Sequence, residues 1–136
     1  MEIRAFLYVA CGGALGALSR YSMSLLMPRA LGGVPAATLV SNLLGCLIMG
    51  AVLQWISEAH WFSGARLAHE HYRLVFAVGF CGSFTTLSAL IFEMSAMLQR
   101  EDVLTAFGYL ITTLLGGLVC FYAGVVIMRL LLPAAH

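Results

Sequence analysis

Within ten residues the chain sets Gly79, Gly82, Ser83, Thr85, Thr86 and Ser88 into an otherwise apolar stretch, Gly79-Phe80-Cys81-Gly82-Ser83-Phe84-Thr85-Thr86-Leu87-Ser88. Hydroxyls and released backbone carbonyls can take the place of water around an ion. The stretch lies inside a hydrophobic segment long enough to cross a bilayer. There an unpaired backbone group costs several kcal/mol, and non-helical chain survives only inside protein or along a polar cavity. The composition therefore predicts a helix broken near residues 82–86, with a polar site close to the membrane midplane.

Other segments carry polar groups that could join such a site. Thr38, Asn42 and Gly45 fall on one helical face by the i, i+4, i+7 rule. A buried amide such as Asn42 has two fates: an interhelical hydrogen bond averaging ~0.6 kcal/mol, or a donor aimed into a pore or at a ligand. Tyr109, Thr113 and Gly117 form one stripe, and Tyr109, Thr112 and Gly116 a neighbouring one; hydroxyls there can also simply bond back to the preceding turn. Arg20 is the one cation within a span. At mid-membrane it would cost ~2.5–3.5 kcal/mol, so it must either snorkel to an interface or point into a protein-lined aqueous space. Glu93 is the one intramembrane acid and needs a partner for the same reason.

Covalent chemistry finds no support: no nucleophile converges with a base. His69-Glu70-His71 lacks the i, i+4 spacing of a helical zinc motif and falls in a polar loop. Cys11, Cys46, Cys81 and Cys120 lie one in each hydrophobic segment among small residues, without paired ligand spacing, and read as reduced residues filling space.

The elements that must hold these residues follow from composition. Of 136 residues, 62% are hydrophobic and 10% charged, against ~45–50% apolar and ~25% charged in a soluble domain. With ~20 apolar residues per spanning helix, the chain is a single all-α membrane domain over residues 1–136, with four transmembrane helices at about 5–27, 35–56, 73–98 and 104–132. The third is the one expected to break. In the first, Gly12/Gly16 and Gly13/Ala17 provide small residues four apart, where another backbone can come close. The first apolar run is too long for a secretory signal and shows no small-residue cleavage site. Residues 28–34 read as a loop, with Pro35 in the first turn of the next helix. Ser57–Tyr72 is the longest polar segment, with Trp61 and Tyr72 as interfacial anchors, and Gln99–Val103 is a tight charged turn. Net charge is +1 and all seven cations are arginine, without a basic tract for nucleic acid. Four spans put Arg4, Arg66, Arg73 and Arg129 on one side against Arg20, Arg29 and Arg100 on the other. So slight a bias is compatible with insertion both ways round and with an antiparallel homodimer.

Three blocks carry a resemblance. Gly12-Gly13-Ala14-Leu15-Gly16-Ala17-Leu18-Ser19-Arg20-Tyr21, then Thr38-Leu39-Val40-Ser41-Asn42-Leu43-Leu44-Gly45, then Gly79 to Ser88 with Glu93, together resemble the signature blocks of the CrcB/Fluc fluoride channels in order and spacing. The resemblance implies an antiparallel, dual-topology homodimer in the plasma (inner) membrane, with two pores that export fluoride from the cytoplasm and relieve its toxicity. It further implies that Asn42 lines the pore, Arg20 stands in the vestibule, and Ser88, Tyr109 and Thr113 form a polar track. Gly82 and Thr85 match positions whose carbonyls, from both subunits, hold a central structural sodium ion (Na+).

Ion chemistry fits that implication. Fluoride is small and strongly hydrated, so amide and hydroxyl donors suit it better than a fixed cation that would trap it, and a row of weak sites lets ions leave. Opposed carbonyls make a hard-oxygen site for an alkali cation, which lowers the cost of a nearby anion. One departure concerns throughput. The family has two phenylalanines three apart, whose positive ring edges face the ion; here Leu87 and Leu90 stand instead, and Ser83 replaces a usual glycine. Reduced or altered fluoride throughput is the expectation. Two other readings remain open at this point: a small dual-topology proton-coupled multidrug exporter, which would need Glu93 as its titratable acid, and a non-transporting membrane scaffold. Neither is an enzyme.

Overall fold

A computed structural model of the chain describes residues 2–27, 33–58 and 70–132. The described residues are helical apart from short turns. Helix α1 is Glu2–Leu26 and α2 is Ala36–Glu58. Helix α3 covers residues 70–84, with Arg73–Cys81 wound as a π-helix before a final α turn, Gly82–Phe84. After the break at Thr85 and Thr86, α4 is Leu87–Gln99 and α5 is Val103–Leu131.

Local chemistry sets these ends. Pro35 precedes α2 rather than opening it, and its carbonyl accepts the first helical bond, from Leu39 N at 3.2 Å. Between α4 and α5, Glu101 adopts the left-handed conformation (φ 62°) that closes a helix C-terminus. Asp102 then caps α5 by accepting from the Thr105 amide at 3.3 Å. The expected charged turn at Gln99–Val103 is therefore present, and the neighbouring spans agree with their helices to within a few residues. Trp61, His69, Arg66, Pro28 and Arg29 lie outside the described residues. Tyr72 stands edge-on to Trp55, ring centroids 5.1 Å apart, and stacks on Phe76 at 6.4 Å.

Where four spans are expected, three helical stretches are long and apolar enough to cross a membrane: Ala36–Glu58, Glu70–Gln99 and Val103–Leu131. At 25 residues α1 has the length, ~37 Å at 1.5 Å per residue. Its two arginines, three serines and three glycines dilute its apolar character.

Glycines decide how these helices meet. A Cβ on Gly12 would intrude on the Val75 carbonyl and one on Gly16 on the Phe80 carbonyl, while a Cβ on Gly79 would lie 3.0 Å from Gly12 Cα. Thus α1 and α3 touch backbone to backbone through the Gly12/Gly16 face, as small residues four apart allow; Ala17 of the neighbouring pair is exposed. The α2–α5 seam is built alike, with Gly50 against the Phe121 carbonyl and Gly124 against the Leu47 carbonyl. A side-chain core of Leu90, Met94, Met97, Ala106 and Tyr109 joins α4 to α5. The outer faces of α1 and α5 carry exposed residues such as Phe6, Leu15, Leu18, Leu115 and Val119, which suit hydrocarbon or another protein surface.

Candidate functional site: the break in the third span

The break falls where the small and hydroxylic residues predict it. Thr85 (φ −83°, ψ 153°) and Thr86 (φ −152°, ψ 117°) are both extended. The Thr85 amide still reaches Cys81 O at 3.0 Å, as does its hydroxyl at 2.9 Å. Thr86 ends that ladder. In an unbroken helix its N–H would bond the carbonyl of Gly82, four residues back; here it donates to Asn42 Oδ1 at 2.8 Å. Asn42 Nδ2 in turn donates to the Thr86 carbonyl at 3.3 Å. The Thr86 hydroxyl caps α4 by accepting from the Ala89 amide at 3.2 Å and lies 3.2 Å from Ser88 Oγ. From α1, Arg20 Nε donates to the Ser83 carbonyl at 3.3 Å, so a cation meets the carbonyl end of α3 as a helix dipole favours.

Two cavities flank the break. A groove of about 430 Å³ is lined by Asn42, Thr85, Thr86, Leu87, Leu90 and Thr113, with Cys46, Leu114, Gly117, Leu118 and Phe121. A crevice of about 180 Å³ is lined by Ala17, Arg20, Tyr21, Ser24, Ala37, Thr38 and Thr86. Thr86 borders both, so the break forms the wall between the Arg20 crevice and the groove.

The sequence-predicted site residues divide accordingly. Asn42, Thr85, Leu87, Leu90 and Thr113 share the groove, while Arg20 stands across the break in the crevice. Leu87 is 66% exposed, whereas Leu90 is 1% exposed and belongs to the α4–α5 core. The two leucines therefore differ in kind, although sequence spacing treats them as a pair. Ser88 and Gly82 are exposed. Thr113 bonds back to Tyr109 O at 2.8 Å, the local alternative open to any helical hydroxyl. Tyr109 is 1% exposed and its hydroxyl donates to Glu93 Oε2 at 2.7 Å, while Thr38 donates to Glu93 Oε1 at 2.6 Å. Glu93 is thus held by α2 and α5 together, each carboxylate oxygen accepting one hydroxyl. Cys81 is buried and Cys46 lies against Gly117, whose Cβ would sit 3.2 Å from the sulfur; both fill small spaces between helices.

Sequence reasoning missed Thr86 as the hub of the break. The available signal was the N-cap pattern, a threonine immediately before an apolar helical run.

Comparison with known proteins agrees with the signature blocks. The family described as "CrcB-like protein, Camphor Resistance (CrcB)" matches residues 7–125. A protein of Chlorobium phaeobacteroides named fluoride-specific ion channel FluC is 39% identical over 123 residues, 90% of this chain and 91% of the relative. Proteins of the same name from Gloeobacter violaceus, 41% identical over 124 residues (90% and 94%), and Prosthecochloris aestuarii, 38% identical over 125 residues (92% and 93%), are similar over the same extent.

Proposed function

The chain belongs to the CrcB-like family, and from that membership we propose that it is a fluoride-specific ion channel, a non-enzymatic multi-pass protein of the plasma membrane that lets fluoride leave the cytoplasm. The observation that carries the reading is the broken third span. Two half-helices meet at Thr85–Thr86 with a polar-edged groove on one side and the Arg20 crevice on the other. Discontinuous spanning helices favour ions at their facing ends: carbonyls of the first half attract cations and amides of the second attract anions.

In this reading Asn42 and Ser88 supply donors along the fluoride path, Thr113 and Tyr109 stand beside it with their hydroxyl protons committed to Tyr109 O and Glu93, Leu87 borders it, and Leu90 forms its floor. Arg20 makes the crevice an electropositive vestibule. Four spans, including α1, give the subunit its width. The groove is open on one side, and lipid is a poor cover for Asn42, Thr85 and Thr86. An antiparallel second copy encloses it and makes two pores.

The residues present fit a sodium ion. Because Thr86 N–H is diverted to Asn42, the Gly82 carbonyl is released from its helical partner, and Thr85, the last residue to bond back into the helix, turns extended. Their carbonyls, repeated in a second copy, form an all-oxygen donor set suited to a hard cation. Bound there, sodium would supply positive charge to the dimer centre.

A fluoride electrode tests the function. Liposomes loaded with fluoride and containing the protein release it well above protein-free vesicles, while chloride-loaded vesicles retain their contents. Absence of fluoride release would overturn the reading. Because Leu87 and Leu90 offer no polarised ring edge, the rate falls below that of relatives with two phenylalanines; an equal rate would make those rings dispensable here. The proton-coupled exporter gains nothing from the geometry, since both oxygens of Glu93 are occupied by hydroxyls.

A further inference from the structure

We infer that Asn42 and Gly45 of α2 form a two-part socket that sets the break, making Asn42 a positioning residue for ion passage as well as a donor beside it. The inference rests on the break being the ion-handling element.

Asn42 uses both ends of its carboxamide on the backbone of one residue. Oδ1 takes the Thr86 N–H at 2.8 Å and Nδ2 gives to the Thr86 carbonyl at 3.3 Å, as a neighbouring β-strand would. Three residues on, one helical turn along the same face, Gly45 leaves a notch. A Cβ there would run into Thr85 Cγ2 and lie 3.3 Å from Phe84 Cδ1. Thr85 and Thr86 are consecutive and extended, so their side chains point to opposite sides of the strand-like link. The methyl of Thr85 seats in the notch while the backbone of Thr86 is gripped by the amide. Two independent contacts from one helix thus fix both residues of the link. Thr86, so held, caps α4 and forms the wall between crevice and groove.

A purely pore-lining amide needs only its N–H, and a small hydroxylic residue could partly replace it. A socket needs acceptor, donor and notch together. Amide hydrogen exchange followed by mass spectrometry, on the reconstituted full chain, separates the two. Asn42→Ser accelerates exchange in peptides covering Thr86 by about tenfold or more, the effect of losing one hydrogen bond and the opening it restrains. Peptides of the Gly50–Gly124 seam are unchanged. Gly45→Ala leaves the carboxamide in place yet gives the same acceleration, and it lowers fluoride efflux as Asn42→Ser does. Adding Thr85→Ser to Gly45→Ala removes the methyl that clashes while keeping the hydroxyl bonded to Cys81 O, and restores both slow exchange and efflux. The inference is overturned if Thr86 exchange is unmoved in Asn42→Ser, or if Gly45→Ala behaves as wild type. Should Asn42→Ser fail to fold, the Gly45→Ala and Thr85→Ser pair decides alone. Absence of fluoride efflux in the wild type would sink the channel reading and leave the exchange result standing as a test of the socket.

Discussion

At Gly50 and Gly124, α2 and α5 press backbone against backbone, and a Cβ at either position would land on a carbonyl of the other helix. At Gly45, five residues before Gly50 on the same helix, the missing Cβ makes room for a side-chain methyl of a broken segment, beside an amide that grips the next residue. Both contacts use glycine on one helix. They differ in what stands opposite: at the seam the facing backbone runs within a continuous helix, whereas at the break the Thr86 N–H has lost its helical partner and bonds Asn42 instead. A small residue facing a complete helix builds packing; facing an incomplete one beside a polar side chain, it builds a site.

The sharpest contrast comes from enlarging the seam. Gly124→Val sets new atoms against the Leu47 carbonyl, which cannot swing aside. Overpacking of ~1–3 kcal/mol or more should abolish a monodisperse peak on size-exclusion chromatography. A normal peak would show that the seam is looser than the geometry has it. Arg20→Gln, at the break, should leave that peak in place and cut fluoride efflux about tenfold, since a hydrogen bond to a charged group is worth ~1.5–3 kcal/mol. Arg20→Lys keeps the charge without the Nε bond and should fall between. Loss of the size-exclusion peak in Arg20→Gln would place Arg20 with the seam instead.

The two leucines probe the same boundary. Leu90→Phe inserts a ring into a filled core and should cost ~1–3 kcal/mol, read as a lowered Tm. Leu87→Phe places its ring in the open groove and should leave Tm unchanged while raising fluoride efflux. If both variants behave alike, the difference in burial has no functional meaning. The smallest effect is expected at Glu93→Gln, which removes one of two accepted hydrogen bonds at a cost of ~1 kcal/mol. No proton flux should accompany transport in either form, and substrate-dependent proton flux lost in the variant would favour an exporter.

The place of the break was legible in sequence because glycine, serine and threonine are out of character in a lipid-facing helix. So was the Gly12/Gly16 face, which needs only local spacing. Contacts made across the fold were not. Arg20 finds Ser83 across 63 positions. Thr38, Glu93 and Tyr109 each stand out as polar residues in apolar helices, but nothing in their spacing says that they meet. The π winding of Arg73–Cys81 left no mark, since an apolar run reads alike at either pitch. The crowded carbonyls of Val75 and Phe80 both lie within it. Leu87 and Leu90 looked equivalent because helical spacing gives direction but not depth; the core under Leu90 comes from α5.

If ions pass where α2 holds the third span open, breaking that hold must stop them. Fluoride-electrode efflux from liposomes, run side by side on the wild-type chain and on Asn42→Leu, which can neither accept from nor donate to Thr86, tests it most directly. The wild-type vesicles should empty, and the variant's trace should stay at protein-free background. Equal efflux from both would contradict this.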